Sequence, residues 1–191
     1  MDTPLASSLE RTAPGLHRDL RALFGGGAVF EGLAVAYGAV IGAIGPEAPE
    51  VRREEGASFN PRPARICHIL LKDGGERRPE VLAAALASLT PHPGADTALV
   101  HTDTVKAVQS VLQGGAPDPL PEVERIVLAV ALDEVRHLHM TSLDTPARLG
   151  VVKKIRTYLD GTPGAAENRR LIELVEHAVR RAEVHLGAND G

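Results

Sequence analysis

Asp133 and His137 stand one helical turn apart in the segment LDEVRHLH, residues 132–139, and so share a helix face. At that spacing a carboxylate and an imidazole can ligate one metal ion. Two ligands do not make a site, and the other reading of the pair is an Asp–His hydrogen bond on a partly solvated face. Cys67 and His68 offer a nucleophile and a base by type. Successive helical residues point in different directions, however, so the two do not form a dyad, and Cys67 among apolar neighbours reads as a small buried hydrophobe. Gly25-Gly26-Gly27 lacks the Lys-Ser/Thr ending of a phosphate loop and any preceding strand, and reads as a helix stop. Arg52, Arg53 and Arg62 carry charge suited to holding a phosphate through charge-assisted bonds, with Glu50, Glu54 and Glu55 as alternative partners in the same loop.

Helices must position these groups. Leu16, Leu20, Leu23 and Phe24 recur at helical spacing after Pro14, and a second, glycine-rich apolar helix runs from about Ala28 to Ile44. Its Gly32, Gly38 and Gly42 cost helix propensity, which is tolerable where another helix backbone comes close. Residues 45–61 read as a long surface loop. Pro63 and Pro79 each sit in the first turn of a helix, the third with Ile66, Ile69 and Leu70 inward and the fourth with Val81, Leu82, Ala85, Leu86 and Leu89 inward. Thr102 caps a short helix carrying Val105, Val108 and Val111, and the longest apolar helix spans about Glu122 to Met140. Thr145-Pro146 and Thr162-Pro163 read as the starts of the last two helices, the final one striped by Leu171, Val175, Val179 and Leu186. No segment alternates with period two. The expectation is an all-α, single-domain bundle of about eight helices over residues 13–187, behind a flexible start at residues 1–12.

The chain has 191 residues, a formal net charge of −4, a single cysteine and no tryptophan. That length buries a core without disulfide or metal staples. Mild, interspersed charge and scarce aromatics exclude a nucleic-acid binder of the usual kind. One cysteine and no leader pattern point to a reducing cytoplasm, and the apolar stretch 28–44 is too short, and too rich in glycine and alanine, for a membrane span. High Ala, Arg, Gly and Pro usage resembles that of a GC-rich bacterial genome.

Three local stretches and the helix order resemble the HD-domain superfamily, specifically the hydrolase domain of RelA/SpoT-type guanosine-polyphosphate pyrophosphohydrolases, over roughly residues 28–186. The stretches are Val51 to Pro63 (VRREEGASFNPRP), Val81 to Leu89 (VLAAALASL) and Ala131 to His137 (ALDEVRH). The resemblance implies a divalent metal, such as Mn, held by a His, a His-Asp pair and a distant Asp, which polarises phosphate and activates water. Arg62 stands where the first His would be, Ser88 and Leu89 stand at the His-Asp pair, and only Asp133 is kept. The acidic pair that helps position water falls on His92 and Pro93. The resemblance therefore implies a degenerate HD-like domain without metal hydrolysis and with no cofactor, kept for nucleotide or phosphate binding or for regulation. On this reading the ligand-facing residues are Arg52, Arg53, Arg62, Ser88, His92, Asp133 and His137. Two other readings stand beside it: a phosphohydrolase with a metal site rebuilt around Asp133, His137 and His92 or His101, and a structural or partner-binding helical protein, a homodimer through residues 28–44.

Overall fold

The computed structural model describes residues 6–44, 61–90 and 98–187. Every regular element among them is helical, as the periodicity predicts. The chain gathers into two compact units, Met1–Gln109 and Ser110–Gly191, and the boundary falls inside helix α6. Among the described residues no helix is long and apolar enough to cross a membrane.

The first unit contains α1 (Ala6–Thr12), α2 (Pro14–Phe24), α3 (Ala28–Ile44), α4 (Arg62–His68), α5 (Pro79–Ser88) and most of α6 (Thr102–Leu112). The short polar start, expected to fray, carries α1: Leu9 is fully buried and the helix packs on α2 and α3. Pro14 and Pro79 open their helices and Pro63 lies in the first turn of α4, where a missing N–H costs nothing. Gly25 ends α2 at φ 72°, a conformation open to glycine, and donates its N–H to the Arg21 carbonyl. α4 runs on as a π-turn, Ile69–Asp73, which keeps Ile66, Ile69 and Leu70 buried. Around α3 the core is built from Leu16, Leu20, Leu33, Tyr37, Leu82 and Leu86, each at most 1 % exposed. At Gly32 a Cβ would meet the Leu99 side chain at 2.8 Å, so the neighbour that needs the glycine is a side chain and not a second helix backbone.

The second unit contains α7 (Pro121–Arg136), α8 (Thr145–Gly161) and α9 (Arg169–Gly187), with 3-10 turns at Leu138–Met140 and Ala166–Asn168. The long apolar helix is shorter than the periodicity suggests. His137 leaves helical geometry at φ −107°, ψ 9°, and the chain tightens into the first 3-10 turn. α9 packs on both α7 and α8 through Leu171, Val175 and Val179.

The two Thr-Pro starts also part ways. At α8 the cap is Asp144, whose carboxylate accepts from the Ala147 N–H at 2.9 Å, and Thr145 is already helical. Thr162-Pro163 starts no helix: Thr162 follows the end of α8 and gives its hydroxyl to Glu124.

After α6 the chain turns tightly at Gly115, whose N–H donates to the Ser110 carbonyl at 2.9 Å. A Cβ there would lie 2.8 Å from that oxygen and 2.7 Å from the Ser110 hydroxyl. Gly115→Ala is therefore expected to destabilise by roughly 1–3 kcal/mol, as overpacking against backbone does. Urea unfolding checks this, and an unchanged midpoint would show that the turn opens without cost.

Candidate functional site

Sequence reasoning directs attention to seven residues. Arg52, Arg53 and His92 lie outside the described residues. Arg62 opens α4 and is half-buried, and Ser88 ends α5, both in the first unit. Asp133 and His137 lie at the end of α7 in the second.

Asp133 is 1 % exposed, and its Oδ1 lies 3.1 Å from His137 Nδ1. The same ring nitrogen is 2.9 Å from the Asp133 carbonyl oxygen, which also accepts the His137 backbone N–H at 3.1 Å. The imidazole thus closes over the end of its own helix and engages the carboxylate, the hydrogen-bonded alternative to a pair of metal ligands.

The divalent metal implied by the HD resemblance requires lone pairs from His and carboxylate ligands. Arg62 brings a guanidinium, which has donors and no lone pair to give. Ser88 Oγ donates to the Ala85 carbonyl at 2.9 Å, inside its own helix. Leu89 has no ligating atom. Asp133 alone has the right chemistry, and it is engaged by His137, so this set does not fit a metal ion. Among the described residues no three His, Cys, Asp or Glu side chains come together in a group suited to a metal.

The strongest buried polar arrangement is one that sequence reasoning missed. Glu124, on the first turn of α7, is 2 % exposed. Its Oε1 accepts from the Thr162 hydroxyl at 2.6 Å and the Gly164 N–H at 2.8 Å; its Oε2 accepts from the Ala165 N–H at 3.0 Å and Asn168 Nδ2 at 2.6 Å. An ionised carboxylate has about four lone-pair sites, and all four are used. Burial pushes the Glu124 pKa up, but the bonds from Thr162, Asn168, Gly164 and Ala165 outweigh it and hold the group below its ordinary 4.5.

Beside it, Arg125 is 7 % exposed and donates from Nε to Asn168 Oδ1 at 2.7 Å and from Nη2 to the Glu167 carbonyl at 3.0 Å. Asn168 Nδ2 also reaches the Pro121 carbonyl at 2.8 Å. With no acceptor capacity left, Glu124 organises the loop between α8 and α9 and is not a general base. The signal was present in the sequence as two adjacent charges, Glu124-Arg125, inside an apolar run.

Cys67 is 1 % exposed, and burial pushes its thiol up to about 12. His68 turns the other way, its Nε2 3.6 Å from Asp19, and burial lowers its pKa more than Asp19 raises it. The two make no dyad, as their adjacency predicts.

Comparison of the chain with protein-family models, curated proteins and solved structures returns no match.

Proposed function

We propose that this chain is a cytoplasmic, HD-like helical domain that has given up metal-dependent hydrolysis and serves to bind a phosphate-bearing ligand. The donor set at the four positions where an HD hydrolase places its metal ligands carries this reading. A guanidinium, a hydroxyl bonded into its own helix, a leucine side chain and one carboxylate already engaged by an imidazole cannot hold a divalent cation against water. A domain relieved of the metal retains the need to recognise a polyanion, and fixed arginine charge answers that need without a cation.

The test pairs two measurements on the purified chain. After dialysis against metal-free buffer, elemental analysis is expected to find no stoichiometric Mn or Zn, and guanosine polyphosphate incubated with Mn is expected to stay intact. Stoichiometric metal that is lost in Asp133→Ala, together with pyrophosphate release, would establish the rebuilt-site hydrolase instead. Titration calorimetry with inorganic pyrophosphate is expected to show saturable binding, and its absence removes the phosphate-binding task.

A further inference from the structure

The last turns of α7 and α9 and the first turn of α8 line an open cavity of about 380 Å³ in the second unit. Five basic side chains line it, Arg136, His139, Arg148, Arg181 and His185, and among the described residues no carboxylate does. Leu138 and Leu186, each 4 % exposed, lie among the lining groups and supply apolar wall. Three acidic residues on α7 and α9 are committed elsewhere. Asp133 is engaged by His137, Glu183 pairs with Arg156 at 2.6 Å, and Glu176 reaches Arg180 at 3.5 Å. A shallower groove of about 470 Å³ continues along α9 and shares Arg181 and His185 with the first, adding His177 and Arg180.

Helix electrostatics explain part of this cluster and leave part unexplained. A cation in a last turn offsets the negative end of the helix dipole, worth roughly 0.3–1 kcal/mol, which accounts for Arg136 on α7 and His185 on α9. Arg148 lies in the first turn of α8, where the dipole disfavours a cation. One of its donors, Nη2, is held by the Thr141 carbonyl at 2.9 Å, while Nε is buried with no hydrogen-bond partner among the described residues. A buried charged donor left unmatched costs free energy, and a ligand that accepts from it recovers that cost. Arg181 sits on the same face as His185, four residues before it, and makes no ion pair or hydrogen bond among the described residues.

The geometry points to this basic cavity as an anion site that takes a pyrophosphoryl group, free or as part of a nucleotide. One phosphoryl group fits among Arg148, Arg136 and Arg181. The continuing groove, with Arg181 and His185 shared, places a second phosphoryl group along α9. Two linked tetrahedral anions offer several guanidinium groups more acceptor oxygens than one anion or a planar carboxylate does. The site stands on its own geometry and shares with the proposed function only the class of ligand.

Titration calorimetry of the full chain with inorganic pyrophosphate and with guanosine diphosphate tests it, on the unmodified protein and on Arg148→Ala, Arg181→Glu and Arg62→Ala. Arg181 is exposed, so its replacement leaves the fold intact, and circular dichroism verifies each variant. The expected result is saturable binding weakened at least tenfold by Arg148→Ala and by Arg181→Glu; Arg62→Ala reports separately on the residues that carry the proposed function. Equal affinity for pyrophosphate and the diphosphate assigns recognition to the phosphoryl groups alone; tighter binding of the diphosphate adds a base contact at the apolar wall. Binding lost in Arg62→Ala and kept in both cavity variants overturns the cavity and leaves the phosphate-binding function standing. No saturable binding to the unmodified protein overturns both. Sulfate competing as well as pyrophosphate reduces the cavity to general attraction of anions and overturns it as a pyrophosphoryl site.

Discussion

Glu124→Gln is expected to lower the unfolding free energy at neutral pH by roughly 3–5 kcal/mol, the range seen when one partner of a buried charged network is removed. The amide keeps one acceptor oxygen and turns the other position into a donor. Thr162 Oγ1 and the Gly164 N–H can still share the remaining oxygen, but the Ala165 N–H and Asn168 Nδ2 then face an NH2 group. Asn168 is 1 % exposed and cannot turn to water, and its other end is held by Arg125 at 2.7 Å. A loss at Glu124 therefore spreads to the arginine and to the loop that carries α8 into α9.

The same residue sets a pH dependence. The folded carboxyl titrates below the unfolded value near 4.5, so its stabilisation is fully present above that value and is lost as pH falls through the folded pKa. Urea midpoints measured from neutral pH into the acid range are expected to fall for the native protein and to flatten over that window for Glu124→Gln. A variant within about half a kcal/mol of native stability, the usual effect of a surface change, would show that the network does not hold the unit together.

That network also marks where sequence reasoning stops. Apart from α1, which lies in the start read as flexible, the helices are legible because they advertise themselves locally: Pro at a first turn, glycine at a stop, and apolar residues at three- and four-residue spacing. Ile66, Leu82, Val175 and Val179 fall on the apolar stripes of the sequence and are all buried. What failed was local grammar overruled by a distant partner. Thr162-Pro163 has the form of a helix start, but the Thr162 hydroxyl is taken by a carboxylate 38 residues earlier in the chain, and α9 begins only at Arg169.

The same limit governs the candidate sites. Asp133 and His137 could be paired from their spacing because both sit on one helix. The basic cavity could not, because Arg136, Arg148 and Arg181 come from three different helices and each looks like an ordinary surface charge on its own. Charge grouped by tertiary structure leaves no spacing in the sequence. Charge placed against a helix dipole, as at Arg148, leaves a faint one.

Cys67 is expected to react with an aromatic disulfide reagent at least roughly a thousandfold more slowly in the folded chain than in urea. Burial raises its thiol from 9.0 to about 12, and a shift of that size alone lowers the thiolate population about a thousandfold at any pH below both values. Access multiplies the effect, because the side chain is 1 % exposed between the buried Ile66 and the π-turn that follows α4. No neighbour lowers the barrier. His68 lies on another face beside Asp19, and the nearby Tyr37 hydroxyl, itself pushed up to about 12 by burial, is bonded to Thr12 at 2.9 Å. Labelling must then wait for the first unit to open, so its rate in increasing urea reads the opening free energy of α4. Rapid labelling of the folded protein would mean that α4 opens easily, and the core around Tyr37 and Leu70 would need a different packing from the one described.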